Sequence, residues 1–255
     1  MVRLVGILNV TPDSFSDGGL YVDSQMAIQQ AEQLFNDGAD LVDIGAESTR
    51  PGAEPLSPDE EWSRIEPVLE VLIKRYPYQL SLDTYHPETA EQALKLGDFI
   101  INDVTGFQNP QMVEVVKQFG AKMIVSHLPA LSAAEAHQGK LISEIEQVVD
   151  WLRAKHGELV GRGIRPENII VDPGIGFGKT PELNWQLLDV AELLPSFDVM
   201  IGYSRKRFLG ENRLNLEANL IAAERAIKHG ATYLRVHDVA GHAQFIKDQS
   251  GKVDS

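Results

Sequence analysis

"NDGADLVDIGAESTRPG", residues 36–52, decides the fold. Gly38 stands where a helix should stop, because glycine enters the turn after a helix without steric cost. A plain connection, NDGAD, leads into the short apolar run DLVDI at 40–44, and that run breaks into the polar stretch GAESTRPG at 45–52. The same order of plain loop, apolar run and polar strand end recurs along the chain. Strands are predicted at 4–8, 40–44, 79–82, 98–101, 121–125, 168–171, 198–201 and 233–236.

Between them lie helical patterns with apolar residues at i, i+3 and i+4. One covers 24–37, with Ala27, Ile28, Ala31, Leu34 and Phe35; another covers 58–75, with Trp62, Ile65, Val68, Leu69 and Leu72. Ser57-Pro58 followed by acids at 59–61 suits a helix start, and Gly97, Gly120 and Gly230 sit at expected helix ends. Eight strand–helix units with no linker or repeat imply parallel strands and right-handed crossovers. A doubly wound open sheet is the alternative, but the count of eight favours one α/β domain over residues 1–255. The expectation is a (β/α)8 TIM barrel with long loops after strands 1 and 2.

Bulk composition narrows the function. Thirty-seven acids against twenty-three Lys and Arg give a net charge of −14, which argues against nucleic acid or an anionic membrane as partner. The absence of cysteine excludes disulfides, thiolate metal sites and a thiol nucleophile. The apolar stretch before Asn9 is too short for a signal-peptide core and no run is long enough to span a membrane, so the reading is cytoplasmic.

In a parallel barrel the C-terminal strand ends share one face, where active sites are built. Asn9, Arg50, Asp83, Asn102, Asp172, Lys206, Arg235 and His237 all fall there. Taken singly each reads as a loop or cap residue; together they read as a site. Arg50, Lys206, Arg235 and His237 suit an anionic group. Asp83, Asn102 and Asp172 suit the amino and ring N–H groups of a heterocycle. "PGIGFGKT" (173–180) is not a phosphate loop, since Pro173 stands where that motif needs glycine. It reads as a tight turn whose glycines let a ligand approach. His127 reads as a hydrogen-bonded residue of the pocket floor, and His137, His156, His229 and His242 as surface.

The motifs GILNVTPDSFSDGG (6–19), ESTRPG (47–52), LDT (82–84), IND (101–103), DPGIGFGK (172–179), SRK (204–206) and RVHDV (235–239) occur in that order. Together, over about residues 4–245, they resemble the dihydropteroate synthases, folate-pathway transferases that are the target of sulfonamides. The resemblance implies condensation of 6-hydroxymethyl-7,8-dihydropterin diphosphate with 4-aminobenzoate, giving 7,8-dihydropteroate and diphosphate with Mg²⁺ assisting. It implies that Asp83, Asn102, Asp172 and Lys206 hold the pterin, and that Asn9, Arg235 and His237 hold the diphosphate, with Asn9 also on the metal. Asp83, Lys206, Arg235 and His237 carry the catalytic roles. Asp13, Phe15, Asp17, Thr49 and Arg50, on two loops, complete the 4-aminobenzoate site with Phe177 and Lys206.

The implied chemistry is early C–O cleavage to a pterin-stabilised methylene cation, stabilised by Asp83 and attacked by the arylamine. A homodimer is implied too, for which Leu214, Leu216, Leu220 and Ile221 offer apolar side chains that fit packing on the barrel equally well. The pattern departs at Ser126 and Leu128, where many members have Met, and at Arg207, where several have Ser. Two other readings compete: a methyl-transferring pterin barrel, which leaves STRPG and SRK unexplained, and a catalytically silent binding barrel, in which a broken motif is expected. The segment at 10–20 reads as a lid that shields the cation, with Gly18-Gly19 as hinge. Phe15→Ala or Asp17→Ala is therefore expected to raise the 4-aminobenzoate KM while pterin binding stays nearly intact; steady-state kinetics with direct pterin titration checks this, and equal loss of both removes the lid.

Overall fold

The computed structural model describes residues 2–11, 19–47, 55–130, 133–136 and 141–250. Strands β1 (Arg3–Asn9), β2 (Leu41–Gly45), β3 (Leu80–Asp83), β4 (Ile100–Asp103), β5 (Met123–Ser126), β6 (Ile169–Asp172), β7 (Asp198–Ile201) and β8 (Tyr233–Val236) pair in sequence order. All eight pairings are parallel, and β8 returns to β1 with Leu4 opposite Leu234. The closed (β/α)8 barrel and the long connections after β1 and β2 agree with the sequence reading.

Helices α1 (Gly19–Asn36), α2 (Pro58–Arg75), α3 (Pro87–Leu96), α4 (Pro110–Phe119), α5 (Ala133–Ala136), α6 (Ile145–Gly161), α7 (Pro181–Gln186), α8 (Leu216–Lys228) and α9 (Val239–Ser250) accompany the strands. The α2 bounds match the expectation because both ends carry local signals. Ser57 and Glu60 form a reciprocal capping box, and Lys74 and Arg75 lie in the last turn. Its neighbour α1 starts at Gly19, five residues before the expected position, and Gly18 of the expected hinge lies outside the described residues.

Side chains alternate across each strand, so half of every strand faces the helices and half faces the barrel axis. Leu8, Val42, Ile44, Leu82, Ile101, Val125, Val171, Ile201 and Val236 join the large core under the helices. Val5, Leu41, Ile100, Ile124, Ile170, Met200 and Tyr233 form a separate buried cluster, the plug of the barrel. On β3 the corresponding position is Ser81, whose buried hydroxyl has no partner. Two residues beyond the plug, on the same inward face, stand Asp43, Asp83, Asn102, Ser126, Asp172 and Arg235. An apolar floor thus carries a polar layer directly above it.

Strand β4 covers 100–103 instead of 98–101, which takes Asn102 and Asp103 into the ladder. Their polarity is absorbed locally. Asn102 bonds Asp43, and Asp103 accepts from the Thr105 hydroxyl and from the N–H groups of Thr105 and Phe107. Because Ile170 is 1 % exposed within the plug, Ile170→Ala is expected to cost about 2–5 kcal/mol, whereas Ile221→Ala, at 55 % exposure, stays within about 0.5 kcal/mol. Denaturant titration of both variants is the check.

Candidate active site

Arg235, near the end of β8, reaches across the barrel mouth. Its Nε donates to Asp43 Oδ2 at 2.6 Å and an Nη donates to Asp83 Oδ2 at 2.7 Å. The same Asp43 oxygen accepts from Asn102 Nδ2 at 3.0 Å, which leaves the Asn102 amide oxygen as an acceptor. Gly45 leaves room for Asp83: it lies opposite that residue, and a Cβ there would sit 3.3 Å from the Asp83 Cβ. Burial opposes the charge on Arg235, but Asp43 and Asp83 outweigh it and hold the guanidinium above its usual range. Burial likewise pushes the Asp83 carboxyl up to about 7, against the pull of Arg235.

A second set of groups stands on β6 and β7. Asp172 closes β6 and accepts the Gly174 N–H at 2.7 Å through Oδ1. Burial raises its pKa, with Lys206 opposing. Lys206 follows β7, donates to the Ile175 carbonyl at 2.6 Å and lies 5.0 Å from the Phe177 ring centre. Burial lowers it to about 8, with Asp172 opposing. Gly202 separates the two sets. A Cβ there would stand 3.6 Å from Asp172 Oδ2, 3.8 Å from Lys206 Nζ and 3.9 Å from the Arg235 Cβ. The missing side chain leaves a gap bordered by an acceptor, one cation and the Cβ of Arg235, suited to a flat ring with donors on one edge and an acceptor on another.

His237, just past β8, is held by Ser204. Its N–H donates to Ser204 Oγ at 3.3 Å, and its ring Nδ1 lies 3.0 Å from the same oxygen. Asn9 ends β1 opposite Gly45, half-buried, on the strand between β8 and β2. The structure therefore joins Asp83, Asn102 and Arg235 in one bonded set, and Asp172, Phe177 and Lys206 in the other. Asp13, Phe15, Asp17, Thr49 and Arg50 lie outside the described residues, as does His137.

Two residues that the sequence reading did not single out shape the site: Asp43 and Ser204. Asp43 had a visible signal, an acid inside an apolar strand, and it is fully buried. Other expectations are corrected. His127 faces away from the mouth, edge-on to Trp151 at 5.0 Å, with a buried Nδ1 that has no partner; burial lowers it to about 3, so it is neutral. It is no pocket-floor residue, because Ser126 takes the inward position and the next residue must face outward. His242 is not on the surface but fully buried, its Nδ1 2.5 Å from the Asp238 carbonyl oxygen. The glycines of 174–178 serve the turn itself: a Cβ at Gly174 would lie 2.2 Å from the His127 carbonyl oxygen.

The comparisons with known proteins agree with this geometry. The family described as pterin binding enzyme matches residues 5–237. The dihydropteroate synthase of Neisseria meningitidis serogroup C is 39% identical over 257 residues, covering 96% of this chain and 90% of that protein. The Xanthomonas albilineans dihydropteroate synthase solved with 4-aminobenzoic acid superposes with a TM-score of 0.90 at 34% identity, covering 100% of this chain and 94% of that one. The same enzyme in complex with 7,8-dihydropteroate gives a TM-score of 0.85 at 32% identity, with 100% and 94% covered. The chain belongs to the pterin binding enzyme family and, within it, to the dihydropteroate synthases.

Proposed function

We propose that this chain is a transferase of folate biosynthesis that joins 6-hydroxymethyl-7,8-dihydropterin diphosphate to 4-aminobenzoate, releasing 7,8-dihydropteroate and diphosphate. The observation that carries the reading is the gap at Gly202, with Asp172 and Lys206 on one side and the Arg235-linked set of Asp83 and Asn102 on the other. Asp172 accepts N–H groups from the aminopyrimidinone edge, Lys206 donates to a ring acceptor, and Asn102 adds its amide oxygen. Arg235, His237 and Asn9 face the diphosphate. The 4-aminobenzoate lies toward Phe177 and Lys206, with Asp13, Phe15, Asp17, Thr49 and Arg50 on the two loops completing its site.

Among the described residues no trio of carboxylates and histidines clusters as a metal cage. Asn9 offers a hard amide oxygen at a strand end, a donor set that suits Mg²⁺, which is held by one or two protein groups together with substrate phosphates. Asn9 would hold the ion, which when bound would neutralise charge on the diphosphate. In the reaction the bond between the methylene carbon and the diphosphate oxygen breaks, its electron pair leaving with diphosphate, whose growing charge Arg235 and His237 stabilise. Asp83, as carboxylate, stabilises the positive charge left on the pterin methylene. The arylamine lone pair then forms the new C–N bond and the nitrogen sheds its proton to solvent. The chain acts as a single domain over 1–255, cytoplasmic, and pairs as a homodimer through Leu214, Leu216 and Ile221, which are exposed, and the half-buried Leu220.

The deciding assay is diphosphate release from the pterin diphosphate with and without 4-aminobenzoate and Mg²⁺. The expected outcome is Mg²⁺-dependent release with dihydropteroate formed only when 4-aminobenzoate is present; pterin binding without release leaves a silent binding barrel. A pH profile adds a second expectation. Asp83 must lose its proton, near 7, and Lys206 must keep its proton, lost near 8. The profile of kcat/KM should be a narrow bell, falling about tenfold per unit below the first value and above the second. Asp83→Asn should lower the plateau and remove the acidic limb.

A further inference from the structure

Lys179 has no part in the roles above, yet it is 5 % exposed and fully bonded. Its ammonium donates to the carbonyls of Gly174 at 2.8 Å, Phe177 at 3.0 Å and His127 at 3.2 Å. An ammonium has three protons, and each finds an acceptor. Burial lowers its pKa to about 7, with Asp172 opposing. A charge taken out of water and given only neutral partners is an expensive way to fill space, since an apolar side chain of the same length avoids the desolvation cost.

The three carbonyls show what that charge organises. Gly174, Gly176 and Gly178 have φ of 65°, 88° and 59°, and these left-handed turns coil the segment around the ammonium. Groups that face the site alternate with those the lysine holds. Gly174 gives its carbonyl to Lys179 and its N–H to Asp172. Ile175 gives its carbonyl to Lys206, and the Phe177 ring lies beside the same Lys206. The third carbonyl belongs to His127, whose N–H bonds the Asp172 carbonyl at 2.8 Å.

We infer that Lys179 is a positioning residue for pterin binding: by gathering the carbonyls of His127, Gly174 and Phe177 it fixes Asp172 and Lys206 relative to one another across the Gly202 gap. This rests on the pterin reading of that gap. A second pin, Asn184 Oδ1 accepting the Gly176 N–H at 2.8 Å, keeps the coil from opening altogether, so loss of Lys179 loosens the grip without unmaking the barrel.

Titration with 6-hydroxymethylpterin monophosphate by calorimetry tests this on the unaltered chain, K179M, K179Q and K179A, with circular dichroism and melting as fold controls. The expected result is binding by the unaltered chain and about tenfold weaker binding by folded K179M and K179Q. K179A should regain part of its affinity on addition of n-propylammonium, the fragment that truncation removes, while n-propanol restores nothing. No binding by the unaltered chain overturns the pterin reading itself. Unaltered affinity in whichever variant folds overturns the positioning role alone, and so does failure of all three to fold, which would make Lys179 a determinant of the fold.

Discussion

The interaction on which the site depends is the sharing of one guanidinium between two carboxylates on different strands. Arg235 is joined to Asp43 on β2 and Asp83 on β3, which closes the polar layer across the barrel as the ladder closes its wall. A guanidinium held above an apolar plug persists only because both partners meet it at bonding distance. The same contacts set the state of Asp83, whose raised pKa is the balance of burial against Arg235. Anything that draws Arg235 away from Asp83 therefore changes the charge that Asp83 presents at the barrel mouth.

The barrel imposes a tight allotment of inward positions, because β2 to β8, with four or five residues each, supply only about two apiece. One goes to the plug and one to chemistry. Two inward positions carry no side chain at all: Gly45, where a Cβ would crowd Asp83 at 3.3 Å, and Gly202, where a Cβ would only touch Asp172, Lys206 and Arg235. Support then comes from outside the mouth. Ser204 holds His237, and the buried Glu61 at the start of α2 accepts the Thr84 hydroxyl at 2.8 Å, just past Asp83.

The fold is legible in the sequence because each unit carries its own punctuation. Ser57-Pro58 and the following acids mark the start of α2, and YLRV falls on β8 with both bounds as expected. The polar strand ends are legible too, since runs that turn from apolar to charged at the same place in every unit must share one face of a parallel barrel. What escapes a sequence reading depends on parity and on distance along the chain. Asp43 meets Arg235 from 192 residues away, which no spacing in "DLVDI" reveals. The pattern at 121–125 misplaces His127 because β5 lies at 123–126, and the inward–outward alternation follows the pairing that sets those bounds. Lys179 looks like part of a failed phosphate motif, and only the coil of glycine turns shows its ammonium folded back on its own loop. His242 carries no motif, and it is buried on α9 with its ring 6.1 Å from that of Tyr203, a residue 39 positions away.

The gap at Gly202 gives the site an asymmetry between admitting and refusing. Its walls are strand ends fixed by the ladder, and a Cβ added at Gly202 would already touch Asp172, Lys206 and Arg235, so the room there is about one small side chain. On the proposed reading, a flat molecule that copies the pterin's hydrogen-bonding edges meets the same surfaces as the pterin itself. Few single-residue changes here could keep such an impostor out while still letting the substrate in, so discrimination between them falls to the parts of each molecule that extend beyond the strand ends.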